Sequence, residues 1–493
     1  MIEATRPAFK QERSLERARR LALSQLVCLG RHTITGVICA SGRQFEDWSA
    51  DYKLFSKERF DKEGVFAAIR KEAADLLGDD DQVVCAMDDS LMRKKGRKIP
   101  GTGNLRDPLS PPFRANLVWG QRFVQTSMIV PPKQKEAPAR AVPIDFTNAP
   151  LARKPRKTSP PETWKQYRSL KEQLNISRVG ARWIEKLRRD LDGAERTAGR
   201  KLLMAVDGRF TNHKVFRKIP ERTVLIGRVR HDARLYHLPR AEDQPKGKGR
   251  KKSYGQRAPT PEEIRKDETI PWQSVPIFAA GKMHNFKVKL VSPLLWQPAG
   301  ADKPLTLVVI APLSYRPSKK SKVLYRKPAY LGCTETNLPL GKVIQAYVWR
   351  WEIEVNFRDE KQLIGLGEAQ VWNENAVEND PAFVAATYAM LLLAGLKAFP
   401  DQNPTLPPAK WRKKQKPRLS TQDLINQLRA ELWGKAIGYE GVWEDENAEE
   451  MKEMGAERIA QDNFRGFREN HTPAKNPQKL IPHLPSAILY ATG

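Results

Sequence analysis

The sequence contains few cysteines, and none has the spacing of a metal site. Only four of 493 residues are cysteine, namely Cys28, Cys39, Cys85 and Cys333, and no two form a Cys-x-x-Cys pair. This spacing excludes the common zinc motifs, and the low cysteine density excludes a secreted disulfide scaffold. We therefore expect reduced thiols in a cytosolic protein.

The chain also lacks a long uninterrupted hydrophobic run. Its first twenty residues, MIEATRPAFKQERSLERARR, contain no apolar signal core. The longest apolar stretch, residues 383–399, is short and interrupted for a bilayer span. We expect this stretch to be a buried helix and expect no membrane partner.

Acidic residues are scarce relative to basic ones. The 86 Lys and Arg residues outnumber 57 Asp and Glu residues, which gives a formal charge of +29 and a pI near 9.9. Such an excess predicts a polyanionic partner, with nucleic acid as the first candidate. A membrane surface is less favoured, because the basic residues are spread along the chain instead of lying on one amphipathic segment. The length indicates about two to four domains.

Two short apolar segments run directly into aspartate. QVVCAM, at residues 82–87, precedes Asp88 and Asp89, and KLLMAV, at residues 201–206, precedes Asp207. A strand that ends in a carboxylate often delivers a ligand or metal site. Aspartate also begins turns, so the pattern alone is weak. We favour Asp88 over Asp89 because it directly follows the apolar segment.

The most specific pattern lies in Gln345–Leu366, QAYVWRWEIEVNFRDEKQLIGL, which is predicted to form one helix. At about 100° per residue, Tyr347, Arg350, Glu354 and Lys361 share a face about 60° wide. A charged helix face is most often only a solvated surface. The two aspartates elsewhere in the chain favour a site instead.

The rest of this helix supports the same division into two sides. Arg358 extends the charged face, whereas Trp349, Ile353 and Phe357 form a narrow apolar stripe opposite it. An apolar stripe of this kind is suited to docking on a core. The helix is therefore predicted to present its charged side to a cleft.

Asp88, Asp207 and Glu354 together could hold divalent metal. Mg²⁺ and Mn²⁺ prefer hard oxygen ligands, and a pair of such ions promotes phosphodiester cleavage in many enzymes. The surplus positive charge of the chain would hold a DNA backbone. The residues therefore point to phosphoryl transfer on nucleic acid.

The order of these residues resembles the DDE transposases of bacterial insertion sequences. A first Asp and a second one 119 positions later are followed by a β-rich stretch and then by Tyr347-x2-Arg350-x3-Glu354-x6-Lys361. The last pattern is similar at every spacing to the Tyr-Arg-Glu-Lys signature of the cut-and-paste group. The similarity covers roughly residues 83–395, and Ser90 stands where many members of the family have Thr.

The resemblance implies an α/β fold with an RNase H-like catalytic core, a β-rich insertion, and helical N- and C-terminal regions. It implies two Mg²⁺ or Mn²⁺ ions as cofactors, with all three carboxylates, Asp88, Asp207 and Glu354, as both catalytic residues and metal ligands. It assigns contacts with transposon-end phosphates to the other signature residues, which are Tyr347, Arg350 and Lys361.

The resemblance also implies partners. They are double-stranded DNA, as terminal inverted repeats and target, and a second copy of the chain that joins two ends in a synaptic complex. The cut-and-paste group makes hairpin ends and flips a base into an aromatic pocket, for which Trp272 and Trp296 of the insertion are candidates. Arg358 is a further candidate DNA contact. The expected location is the bacterial cytoplasm, at the nucleoid.

Composition shifts and this resemblance together predict five regions. An N-terminal helical DNA-binding region would cover residues 1–80, and the core would begin at 81–211. The insertion would cover 212–339, the rest of the core with the catalytic helix 340–400, and a helical C-terminal region 401–493.

Several features allow two interpretations. Arg-rich helices near residues 10–30 and 60–77 either bind DNA or simply pack, and no helix-turn-helix spacing is present. The basic block at residues 245–257 is either a loop or a phosphate contact. A helical pattern between residues 162 and 199 contains six candidate core residues: Trp164, Tyr167, Leu170, Leu174, Trp183 and Leu187. Ser420 and Asp423 predict a capped helix.

Two rival functions remain for the chain as a whole. One is a regulatory or domesticated DNA-binding protein that keeps the fold but does not cleave. The other is a metal-dependent nuclease that cleaves DNA without joining it.

Overall fold

The protein is described by a computed structural model that covers residues 1–400 and 418–434, apart from residues 80–81, 108–109, 112, 115, 134–135, 246–249, 317 and 319–320. Part of the basic block at 245–257 and most of the region at 401–493 therefore lie outside the described residues.

Twelve α-helices lie within the described residues: α1 (Glu12–Val27), α2 (Ile34–Ala40), α3 (Ser49–Ser56), α4 (Lys62–Ala74), α5 (Pro161–Gln173), α6 (Ile176–Asp192), α7 (His213–Phe216), α8 (Pro261–Lys266), α9 (Leu340–Trp349), α10 (Trp351–Gln362), α11 (Ala376–Ala398) and α12 (Thr421–Gly434). Thirteen strands accompany them in the same part of the chain: β1 (Gln82–Arg93), β2 (Gly103–Arg106), β3 (Leu117–Val130), β4 (Arg140–Asn148), β5 (Lys201–Val206), β6 (Thr223–Arg228), β7 (Leu235–Tyr236), β8 (Gln273–Ala279), β9 (Lys282–Trp296), β10 (Gly300–Ile310), β11 (Ser314–Tyr315), β12 (Leu324–Tyr325) and β13 (Ala329–Cys333).

Three parallel strands form the centre of the main sheet. β1 lies parallel to β5, and β5 lies parallel to β6. The registers pair Met87 with Val206 and Val206 with Gly227. The next residue of each strand therefore emerges at the same edge, where parallel α/β sheets bind their ligands.

The strand that contains the first apolar segment is longer than the sequence predicts. β1 continues beyond Met87 to Arg93, because the long strand β3 pairs with it antiparallel as far as Arg93 and Gly120. Asp88 and Asp89 therefore lie within a strand and project to opposite sides of the sheet. The parallel pairing of β1 with β5 nevertheless ends at Met87, the residue at which the sequence predicts the end of the strand.

The β-rich insertion continues the main sheet. The strand order is β2-β3-β1-β5-β6-β13-β10-β9-β7, with β4 beside β3 and β8 beside β9. β11 and β12 form a separate small hairpin. The strand-rich character predicted for residues 212–339 and the mixed α/β class are thus confirmed.

The apolar stretch near residues 383–399 forms most of α11. This helix has 23 residues and is apolar enough to cross a membrane by length and composition, but 83% of its most apolar window is buried inside the protein. Its Phe383 packs against Phe55 of α3, with ring centroids 5.4 Å apart. The prediction of a buried helix is confirmed.

The single helix predicted over Gln345–Leu366 is wrong in its bounds and its continuity. α9 begins at Leu340, after Pro339, and meets α10 at Arg350. Two i→i+3 hydrogen bonds, from the Arg350 amide to Tyr347 and from the Ile353 amide to Arg350, tighten the chain there. Such bonds wind more tightly than α-helical ones, so the two helices join at a bend.

α5 also departs from the sequence prediction. Trp164, Tyr167 and Leu170 were candidate core residues, yet no α5 side chain is buried by the described residues. Trp183 and Leu187 of α6 are buried, as predicted.

The C-terminal helix α12 has its predicted cap. The Asp423 carboxylate accepts a hydrogen bond from the Ser420 amide, and the Ser420 hydroxyl accepts one from the Asp423 amide.

Candidate active site

The sheet edge brings Asp88 and Asp207 together. Each immediately follows the last residue pair of the parallel β1–β5 ladder. The two carboxylates are close enough for Asp207 to raise the pKa of Asp88. The Asp207 carboxylate accepts a hydrogen bond from the Arg209 amide at 2.9 Å, which orders the turn that follows β5.

Arg350 joins the third carboxylate to this edge. Its Nη1 lies 2.8 Å from Asp88 Oδ2, and its Nη2 lies 2.9 Å from Glu354 Oε1. The bend between α9 and α10 places the guanidinium over the strand while keeping it one helical turn from Glu354. A single planar fork thus spans two carboxylates.

The buried flank of α10 fixes this position. Ile353 is fully buried against Ala86 of β1 and Ala141 of β4, with Trp349 and Phe357 packed around them. The predicted apolar stripe is therefore the docking face of the helix. Beside it, Asn356 donates to the Ser127 hydroxyl and to the Ala141 carbonyl, at 3.1 and 3.2 Å.

Charge is unevenly balanced at this site. Burial and the nearby Asp207 together raise the pKa of Asp88 to about 7, while Arg350 opposes the shift. Burial alone would lower the pKa of Arg350, but its acidic neighbours and Tyr347 raise it instead. The site combines crowded carboxylates with one shared cation.

The donor set fits a divalent ion in chemistry, and Arg350 contacts two of its three carboxylates. Among the residues that the structure describes, no three His, Cys, Asp or Glu side chains are grouped closely enough to hold a metal ion. Asp88, Asp207 and Glu354 supply hard oxygen ligands of the kind Mg²⁺ takes. Arg350 Nε is buried and lacks a hydrogen-bond partner among the described atoms, so an acceptor is missing here.

Asp89 faces a different partner. Its Oδ2 lies 2.9 Å from Arg209 Nη1. Burial raises its pKa, while Arg209 and Arg122 oppose the shift. Asp88 thus contacts the arginine that also binds Glu354, whereas Asp89 contacts Arg209, and the choice of Asp88 as first ligand stays a prediction.

Tyr347 stands next to Arg350, as its position in the motif predicts. The Arg350 guanidinium carbon lies 5.6 Å from the Tyr347 ring centroid. Burial raises the pKa of the Tyr347 phenol, while Arg350 and Arg228 lower it. The phenol is therefore a neutral donor within a cationic neighbourhood.

Lys361 and Arg358 lie further along α10. Lys361 Nζ lies 5.8 Å from the Phe357 ring centroid, and burial lowers the pKa of this amine. Seven residues separate Lys361 from Glu354, which is about 10 Å of helix. Arg358 binds Asp359 at 2.8 Å, and its side chain is 58% exposed.

The structure does not bring Trp272 and Trp296 to the carboxylates. Trp296 ends β9 and packs edge-on against Phe216, and Trp272 is covered by the Lys289 amine, 4.6 Å from its ring centroid. β9 is five strands from β1, which is about 24 Å at usual strand spacing. Their assignment to a base pocket stays a prediction.

Two cations beside the site were not predicted. Arg209 binds Asp89, and Arg228 follows the β6 residue that pairs with Val206. Arg209 had a sequence signal, because it closely follows the predicted strand that ends at Asp207, whereas Arg228 is the last residue of β6. The sequence did not predict the order of the strands, which brings Arg228 to the edge that carries Asp207.

A comparison with protein families matches residues 6–276 to the family described as DDE superfamily endonuclease. The matched segment exceeds half of the chain and contains Asp88 and Asp207, but it ends before Glu354. No curated protein matches the chain. The mixed sheet, with Asp88 and Asp207 next to the end of the parallel β1–β5 ladder, agrees with an RNase H-like DDE domain, which confirms the predicted fold class.

Proposed function

The chain belongs to the DDE superfamily endonucleases, and from that premise we propose that it is a DNA transposase of the cut-and-paste group with the Tyr-Arg-Glu-Lys signature, as in bacterial insertion sequences. Membership in the family implies a DNA substrate and a nuclease or transposase activity. The transposase assignment is supported chiefly by one observation: Arg350 links Asp88 to Glu354 beside Asp207.

In the proposed site, Asp88, Asp207 and Glu354 would hold two Mg²⁺ or Mn²⁺ ions. Enzymes of this family generally use divalent metal ions, and bound ions would polarise the scissile phosphodiester and stabilise the leaving oxygen. The mostly buried surroundings of Asp88 would limit the access of bulk water to a phosphate bound there.

The remaining signature residues would hold the DNA strand. Arg350 has five N–H donors, of which the two that contact Asp88 and Glu354 leave others for a phosphate. Tyr347 would donate from its neutral phenol, and Lys361 would supply a second cation about 16 Å of helix from Arg350. These contacts would orient the strand for in-line attack.

The proposed reaction cycle follows from this assignment. A homodimer would bring two terminal inverted repeats together, nick each end, form and resolve hairpin ends, and join the 3′-OH ends to target DNA. Cleavage and joining both need the same carboxylates, because each is a phosphoryl transfer. We further propose that the protein acts in the cytoplasm on nucleoid DNA.

The test is an incubation with Mg²⁺ and a donor DNA that carries the inverted repeats flanking the reading frame. Wild type should nick, form hairpins visible on a denaturing gel, and yield joined product, and chelation should stop all three steps. Glu354→Gln should abolish cleavage, whereas the exposed Glu374→Gln should leave it unchanged.

The rival functions give different results in the same assay. Cleavage without joined product would identify a nuclease. Binding of the ends without any cleavage would identify a regulatory DNA-binding protein. Cleavage that persists in Glu354→Gln would refute the proposed site.

A further inference from the structure

Helix α5 lies on the surface of the protein, outside its hydrophobic core. Within the part of the chain that the structure describes, none of its thirteen residues is buried. A helix of this length is marginal in water without tertiary packing. Its exposed face is therefore the kind of surface that a partner stabilises.

The charge of this region indicates what the partner is. Between residues 153 and 171 there are seven cations and one acidic residue, Glu162, a net charge of +6. The cations are all exposed: Arg153, Lys154, Arg156, Lys157, Lys165, Arg168 and Lys171. A dense exposed group of one sign fits a polyanion.

The cations of α5 also share a direction. At about 100° per residue, Lys165, Arg168 and Lys171 fall within about 120° of the helix circumference. Trp164 and Tyr167 lie on the same side, with ring centroids 5.9 Å apart. Lys171 Nζ is 5.9 Å from the Tyr167 centroid. The three cations of the helix can therefore face one polyanionic backbone together.

An ion pair and hydrogen bonds connect the C-terminal end of α5 and the start of α6 to the segment that follows Asp207. Lys214 Nζ lies 2.8 Å from Glu172 Oε1. One residue into α6, the Ser177 hydroxyl donates to the Arg209 carbonyl at 3.3 Å and accepts from Asn212 at 2.9 Å. The basic helix therefore ends near the catalytic edge of the sheet, after running about 20 Å along the surface.

We propose that α5 and the basic segment before it, residues 153–171, form a binding surface for the backbone of duplex DNA that flanks the reacting phosphate. This inference rests on the proposed function for its substrate class, but it assigns a surface that the signature residues do not include. Each lysine or arginine on it neutralises one phosphate and releases counterions.

The test compares two triple variants of the full-length protein with the same net charge. The first is Lys165→Ser, Arg168→Ser and Lys171→Ser on α5. The control is Lys71→Ser, Arg189→Ser and Lys342→Ser, which changes exposed cations on α4, α6 and α9. α4 and α6 end where the chain returns to β1 and β5, so their cations lie at the opposite edge of the sheet.

Binding of a 30-base-pair duplex is measured by fluorescence anisotropy over a range of salt concentrations. We expect the α5 variant to lose about ten-fold or more in affinity at low salt, and the slope of log affinity against log salt to fall by about 3. The control should lose less than about three-fold. Hydrogen exchange of the α5 amides should slow when the duplex is added to wild type.

Equal losses in the two variants would overturn the proposal, because general charge would then explain binding. So would unchanged α5 exchange with DNA. If the α5 variant binds DNA normally but changes from dimer to monomer in light scattering, a second copy covers the helix and the proposal is also overturned.

The outcome is separable from that of the proposed function. Wild type that cleaves its ends while the α5 variant binds DNA normally would refute only the surface. Wild type that binds DNA through α5 but never cleaves would refute only the transposase assignment.

Discussion

Arg350 is the residue on which the candidate site depends, because it contacts carboxylates from two elements. Asp88 comes from β1 and Glu354 from α10, and the guanidinium lies 2.8 and 2.9 Å from them. Without this cation, the buried Asp88 would face Asp207 with no compensating charge.

The choice between Asp88 and Asp89 can be tested by exchange for asparagine. Asp88→Asn should reduce Mg²⁺-dependent cleavage by more than about 100-fold, because it removes a proposed metal ligand and the partner of Arg350. Asp89→Asn should cost less than about ten-fold, because Asp89 contacts Arg209 instead. Single-turnover cleavage rates measure both, and the reverse order would identify Asp89 as the ligand.

A second residue-scale prediction concerns Glu360, which is fully buried on the docking side of α10. Burial raises its pKa from the ordinary value of 4.5 to about 8, with Lys361 opposing the shift. Between these two values the native state binds a proton that the unfolded state has lost. The free energy of unfolding therefore falls as pH rises from about 4.5 to about 8.

Glu360→Gln should remove this dependence, because the amide stays neutral. We expect the variant to be more stable than wild type by on the order of 2–4 kcal/mol at pH 8.5, and similar to it at pH 5. Urea titrations at the two pH values measure the difference. An equal effect at both values would show that Glu360 is not protonated in the native protein.

At the scale of elements, α10 positions the site through its packing on the sheet. Ile353 is fully buried between β1 and β4. Ile353→Ala should lower the free energy of unfolding by about 2–4 kcal/mol, since it leaves a cavity in a packed interface. It should also reduce cleavage, because Glu354 is the next residue.

Arg358→Gln is the control on the same helix. Its side chain is 58% exposed and pairs with Asp359, so its stability cost should stay below about 1 kcal/mol. Thermal or urea unfolding of both variants compares them. If Ile353→Ala were as mild as the control, α10 would not be held by this contact.

At the scale of the whole molecule, the N-terminal helices and the core share one interior. Phe55 of α3 and Phe60 each pack edge-on against Phe383 of α11, at 5.4 and 6.2 Å. Asn379 Nδ2 donates to the Phe55 carbonyl at 3.0 Å, and Gln25 Nε2 donates to the Ile364 carbonyl at 2.5 Å. The N-terminal helices are therefore packed on the core through both apolar contacts and hydrogen bonds.

This shared interior predicts joint unfolding. Phe383→Ala should remove about 3–5 kcal/mol of stability and reduce amide protection in both α4 and β4, because α11 contacts both elements. Hydrogen exchange measures the amide protection of α4 and of β4 separately. Loss of protection in α4 alone would show that the N-terminal region is an independent folding unit.

Short-range chemistry made several features predictable from the sequence by itself. The apolar segments before Asp88 and Asp207, the apolar stripe around Ile353, the Ser420 cap and the buried α11 all follow from residues within a few positions of each other. Strand alternation, helix periodicity and capping act over such distances, so local patterns determine them. The excess positive charge likewise needs no coordinates.

Only the tertiary structure decided which charges meet. The pairing of Asp88 with Arg350 crosses 262 positions, and the strand order that brings Arg228 to Asp207 is not encoded in any local pattern. The bend at Arg350 and the exposure of α5 were not predictable for the same reason, since both depend on which elements pack nearby. Long-range contacts are selected by the fit of whole elements, and residue spacing cannot report that fit.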